Sequence, residues 1–179
     1  MDLNKFAQEI YAQNKQVGWW DDPNRCPFEC LQLCSTEVAE ATEGYRRSLK
    51  DDHLPHRDME EVELADTLIR VLDFGAHHNL KHDVKIQHEP LLDIENLSIA
   101  GYHLAINRAI TLLSVNFEGN DLNIDFSDEC YSLTINTILE VAGRRGFDIL
   151  TAAKEKHAYN KTRADHKREN RIKEFGKKI

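Results

Sequence analysis

Glu37 and Glu40, then Glu63 and Asp66, form two acidic pairs, each with i, i+3 spacing. On a helix, residues three apart project from neighbouring points of one face. The 22 residues between Glu40 and Glu63 suffice to end one helix, turn, and begin a second running back alongside it. Four carboxylates from two antiparallel helices then converge on one volume. Hard oxygen ligands in that number suit Mg²⁺, with Mn²⁺ able to substitute. They suit Zn²⁺ poorly, since it prefers nitrogen and sulfur. The chemistry implied is that of a metal-dependent phosphate-ester enzyme.

A lone ExxE occurs in many charged helices, so position on the helical wheel matters. Leu31, Cys34, Val38, Ala41 and Tyr45 make one apolar stripe at about 100° per residue. Glu37 falls within that arc and Glu40 at its edge, while Glu43 and Arg46 lie well away. In the second helix Val62, Ala65, Ile69, Leu72 and Ala76 face inward, with Asp66 and Asp73 beside Val62 and Glu63 further round. Carboxylates at the margin of a buried stripe are expensive unless a positive charge compensates them. A divalent ion does so.

The elements that must position these groups read as nearly all helix. The periodicity predicts a first amphipathic helix over 2–16, then a break at Gly18 to Asn24. Pro27 opens a second helix, carried to about Leu49. Asp58 and Glu61 have the spacing of a capping box at the start of a third, carried to about Leu80. A polar connection from Lys81 to Asp93 precedes a fourth helix from Ile94 to near Phe117. Ser127 is placed as the cap of a fifth, closed by Gly146 after Arg145. Asp148 caps a sixth, reaching about Thr162. Short loops between long helices favour antiparallel neighbours, hence an all-α antiparallel helical bundle. One helical domain over 1–167 and a basic tail over 168–179 are expected.

Composition narrows the class. The charged share is 30% against 41% hydrophobic, and eight glycines and four prolines are too few for a loop-rich β protein. No apolar run approaches the length of a membrane span, and the first residues carry no basic-then-apolar signal pattern. The expected location is the cytoplasm, with no membrane partner. The net charge of −8 is segregated: Lys154 to Ile179 holds 10 Lys and Arg against 4 Asp and Glu, so the body is strongly acidic. That argues against duplex nucleic acid as a partner. Cys26, Cys30 and Cys34 repeat every four residues and, with Cys130, read as small buried hydrophobes rather than a zinc or disulfide framework.

Lys156, Asn160 and Arg163 fall at i, i+4, i+7, one stripe of the last helix, followed by His166 and Lys167. Arg offers a forked donor set to phosphate oxygens and Lys a mobile point charge. Asn160 suits a sugar hydroxyl or a base edge. Trp19 and Trp20 stand just before the first acidic helix, and a Trp face there can serve as a stacking platform for a nucleobase.

ExxE, a spacer of this size and ExxD, in the wording Ser35-Thr36-Glu37-Val38-Ala39-Glu40-Ala41 and Glu63-Leu64-Ala65-Asp66-Thr67-Leu68-Ile69, resemble the MazG-type all-α nucleoside triphosphate pyrophosphohydrolases. Gly146-Phe147-Asp148 and the run Lys156 to Arg163 fit the same pattern, so that the likeness covers roughly 18–80 and 143–167. The resemblance implies helical dimers or tetramers that cleave a nucleoside or deoxynucleoside triphosphate between the α and β phosphates, giving the monophosphate and pyrophosphate. It implies Glu37, Glu40, Glu63 and Asp66 as metal ligands; by the chemistry of the residues themselves, whichever of Glu37 or Glu40 is not fully used by metal can take the proton of the attacking water. Lys156, Asn160 and Arg163 correspond to nucleotide-holding residues, and His166 and Lys167 extend that set with a lean towards purine or dGTP substrates of phage-type members. Two departures stand out. Segment 84–142 is longer than small members need, and Thr36 occupies a place that is acidic in some relatives.

Two other classes compete. A helical regulatory or nucleic-acid-binding module would show no metal-dependent turnover. An HD-type metal phosphohydrolase would use His82-Asp83 with His77, His78 or His53. A di-iron bundle lacks its expected His at i+3 after each acidic pair.

Overall fold

The computed structural model describes residues 1–85, 94–118 and 124–171. Residues 172–179 of the basic tail, and most of the 81–93 connection, lie outside them. The described residues are all-helical, with no strand: α1 Leu3–Gln16, α2 Pro27–Arg47, α3 Met59–His77, α4 Ile99–Val115, α5 Ile124–Arg145, α6 Ile149–Asn160 and α7 Arg168–Arg171. Single 3-10 turns cover Ile94–Asn96 and Ala164–His166. None of these helices is long and apolar enough to cross a membrane.

Helix α3 is the centre. It packs against α1, α2, α5 and α6, and so is buried nearly all round rather than along one stripe. That surrounds Glu63, expected further from the core than Asp66, and buries it to 7% exposure. Helices α2 and α3 run antiparallel: Gly44 meets Met59 and Glu60 at one end, while Glu37 meets Arg70 at the other. Gly75 lets α5 approach, since a Cβ there would stand 2.2 Å from the Tyr131 ring.

Helix ends account for most differences from the expected boundaries. Asn79 turns left-handed (φ 60), its N–H donating to Ala76 O and that of Leu80 to Gly75 O. This paired-bond cap ends α3 at His77, and Leu80 is the buried residue beyond it. Gly146 (φ 72) closes α5 in the same way, through Phe147 N–H to Ala142 O. Asp58 is the N-cap of α3 without a side-chain bond to it. The capping box does not form, because Lys50 takes the Asp58 carboxylate and Arg57 takes Glu61. Glu61 instead accepts the backbone N–H of Asp148, and Arg57 also grips Glu155, tying α3 to α6. Helix α5 starts at Ile124, so Ser127 is a buried residue within it and not its cap. Ile94 belongs to a separate turn, α4 being capped by Ser98.

Candidate functional site

The loop between α2 and α3, the inward faces of those helices, and the end of α6 enclose a cavity of about 260 Å³. Glu37, Glu40, Glu63, Asp66, Lys156, Asn160, Arg163, His166 and Trp19 all line it. Residues more than ninety positions apart in the chain are thus brought to one volume. Lys167 is exposed and not part of the lining, because the chain turns at Arg163.

Carboxylate oxygens of Glu37, Glu63 and Asp66 lie within 4.8 Å of one another. Glu40, one turn beyond Glu37, is exposed to the cavity and stands outside that tight group. Two cations serve the cluster. Arg70, on α3 one turn past Asp66, holds Glu37 at 2.5 Å. Lys156, only 1% exposed, has its ammonium 3.0 Å from Asp66 and 3.8 Å from Asp51. Asp51 is fixed in turn by the backbone N–H groups of His53 and Leu54. Burial works against the Lys156 charge, but Asp66, Glu63 and Asp51 outweigh it and raise its pKa. Among the described residues no cation forms a direct ion pair with Glu63. Burial pushes it up to about 9; Lys156 offsets part of this, and Asp66 and Glu37 push it further up. Burial, then Glu37, also raises Glu40. Three mutually repelling carboxylates, one of them retaining its proton at neutral pH, form a donor set that fits a hard divalent cation.

At the other end of the cavity, Asp73 is buried and pushed up to about 6 by desolvation, despite bonds from Asn14 Nδ2 (2.8 Å) and Trp20 Nε1 (3.1 Å). Trp20 stacks on His77 at 3.8 Å with the Arg25 guanidinium 4.6 Å from its ring. Its ring is therefore engaged in packing within the protein. Trp19 is half-buried and lines the cavity, with His166 edge-on at 5.6 Å.

Arg163 departs from its expected place. Helix α6 ends at Asn160, tightening through i→i+3 bonds from Thr162 and Arg163, and Arg163 is extended. It reaches the cavity from beyond the helix, held by both oxygens of Asp165 at 3.0 and 2.7 Å.

Sequence spacing missed Asp51, Arg70 and Gln13. Arg70 had a signal, being i+4 from Asp66. Asp51 in a loop and Gln13 on the first helix had none. Among the described residues no group of three metal-ligating side chains other than the acidic triad is present. His78 packs between Phe74 and Phe117, and His82 bonds Asn136, so the HD-type set does not assemble among the described residues. All four cysteines are free thiols, three of them buried.

No protein-family model matches the chain, and no curated protein or solved structure matches it.

Proposed function

We propose that this chain is a divalent-metal-dependent nucleoside triphosphate pyrophosphohydrolase of the MazG-like kind, converting a (d)NTP and water to the (d)NMP and pyrophosphate. The observation that carries the reading is one cavity lined by an acidic triad together with Lys156, which reaches into that triad, and with Arg163. A site for a lone metal needs no such cations, and a simple anion site needs no such carboxylates. A metal–polyphosphate complex needs both.

Glu37, Glu63 and Asp66 would hold Mg²⁺ or Mn²⁺, with Glu40 as the further carboxylate. When bound, such an ion neutralises phosphate charge and acidifies water. The remaining work falls to the chain's own residues. Arg70 holds Glu37 in place through a charge-assisted bond. Glu40 enters no ion pair among the described residues and faces the cavity with a raised pKa, which suits it to take a proton from the attacking water. The water oxygen bonds the α-phosphorus, the bond to the bridging oxygen of the β-phosphate breaks, and its electrons leave with pyrophosphate. Lys156 and Arg163 stabilise the charge that develops on the leaving oxygens. The same resemblance implies a bundle assembling as a dimer or tetramer, and a cytoplasmic place of action.

The test is a screen of common NTPs and dNTPs with Mg²⁺ that resolves pyrophosphate from phosphate. Pyrophosphate with monophosphate, abolished by chelator, is expected. Stepwise release of single phosphates, or turnover indifferent to chelator, overturns the proposal.

A further inference from the structure

Three acceptors surround the buried Lys156 ammonium, and they come from two parts of the fold. Asp66 Oδ2 on α3 is 3.0 Å away, while His53 Nδ1 and Asp51 Oδ2, in the loop joining α2 to α3, are 3.5 and 3.8 Å away. An ammonium has three donors and accepts nothing, so His53 Nδ1 is the acceptor in its contact. Only the Asp66 contact is short.

Asp51 divides its carboxylate between two tasks. Oδ1 accepts the backbone N–H groups of His53 at 2.9 Å and Leu54 at 2.7 Å, which pins the loop. Oδ2 is the oxygen that faces Lys156. The His53 ring lies against that of Tyr159, three residues past Lys156, at 4.6 Å. Asp51 is buried, yet it belongs neither to the acidic triad nor to the cavity lining. Its charge meets the site through Lys156. Together with Asp66 and Glu63, it keeps the Lys156 charge in place against burial.

The hydrolase reading takes Asp66 as a metal ligand. With a divalent ion at the triad, the Asp66 charge is shared, and ion and ammonium repel each other. A buried ammonium still needs a carboxylate beside it. Of the two carboxylates that pair with Lys156, Asp51 is the one outside the triad. Resting on that reading, we infer that Asp51 is a positioning residue: its Oδ2 holds the Lys156 ammonium in place for the phosphates when Asp66 serves the ion. The pinned loop has this second seat ready before the ion arrives.

Asp51→Asn isolates the seat: Asn keeps Oδ1 for the two backbone N–H groups and replaces the oxygen facing Lys156 with a donor. Asp51→Ala removes both functions. Wild type, these variants, Lys156→Met and the Asp51→Asn, Lys156→Met double variant are compared by metal-free melts, Mn²⁺ calorimetry and steady-state kinetics. Asp51→Asn should weaken Mn²⁺ binding by about fivefold to fiftyfold, since the ammonium then relies on Asp66 alone. In the Lys156→Met background the same change should shift affinity by no more than about twofold, because Asp51 acts through the lysine. At saturating Mg²⁺, kcat of Asp51→Asn should fall about tenfold with KM within about threefold. In wild type, where folding is not in question, the Lys156 ammonium resonance should stay protected from solvent exchange when Mg²⁺ is added. Loss of that protection, equal affinity losses in both backgrounds, or damage in Asp51→Ala alone overturns the inference and leaves the hydrolase reading standing. Coupling of Asp51 to Lys156 in Mn²⁺ binding, without pyrophosphate from any nucleotide, keeps the seat and removes the hydrolase reading. A wild type that neither binds Mn²⁺ nor turns over sinks both.

Discussion

The Lys156 ammonium lies 3.0 Å from the Asp66 carboxylate, and both belong to the wall of the acidic cavity. Lys156 is 1% exposed and also faces Asp51 at 3.8 Å. It is an internal cation set into a cluster of acids, and its removal leaves Asp66 and the buried Asp51 without it. Lys156→Met should cost about 3–5 kcal/mol of stability in chelator, the range for breaking a buried ion pair. Added Mg²⁺ or Mn²⁺ should restore more of the melting temperature in the variant than in wild type, because the ion takes over part of the compensation. Thermal melts with and without the cation test this. A variant that melts like wild type in chelator would show that the pair contributes nothing.

Glu40 and Glu43 are three residues apart on α2 and differ in what they touch. Glu43 is half-exposed and pairs with Arg46 and Arg47, whereas Glu40 faces the cavity with no ion pair among the described residues. Glu40→Gln should lower turnover by orders of magnitude with the fold intact, and Glu43→Gln should change it less than twofold, an exposed helical pair being worth about 0.3–0.5 kcal/mol. Steady-state kinetics beside circular dichroism decide it. Equal losses at both positions would remove Glu40 from the chemistry.

Glu63 gives a pH signature. Its folded pKa is raised from 4.5 to about 9 by burial and by Asp66 and Glu37, so between those values the metal-free fold binds more protons than the unfolded chain. This carboxyl's contribution therefore makes metal-free stability fall as pH rises across that window. A cation must displace the proton, so binding at pH 7.5 should release close to one proton, and affinity should climb with pH until about 9. Calorimetric titration of Mn²⁺ in buffers of different ionisation enthalpy measures the release. Binding with no proton release would place the ion elsewhere.

Arg163 and Lys167 are close in sequence but only Arg163 lines the cavity. Its fork is already aligned by Asp165. Arg163→Ala should raise KM at least tenfold, since a charge-assisted bond to phosphate is worth about 1.5–3 kcal/mol. Lys167→Ala should stay within about twofold. Metal binding without nucleotide should survive both changes, because the triad stands on α2 and α3. Normal kcat/KM in Arg163→Ala would exclude its side chain from the site.

What the sequence determined by itself is local. Spacing of i, i+3 fixes that Glu37 with Glu40, and Glu63 with Asp66, share a helical face, because helix geometry follows from the covalent chain. The all-helical character, the Asp148 cap and the Gly146 stop were legible for the same reason: each depends on residues within a few positions. Burial was not legible. A wheel assumes one buried side, and α3 has neighbours on several, so Glu63 is deeper than its wheel position indicates. Trp19 and Trp20 are indistinguishable as adjacent letters. Only the approach of Asp73 and His77, over fifty residues away, assigns Trp20 to packing and leaves Trp19 on the cavity. Asp51 joined the cluster by a loop that carries no periodicity, and Arg163 reached it after its helix had ended. Side-chain energies are set by which groups meet and how much water they keep, and those are properties of tertiary contact, not of spacing along one chain.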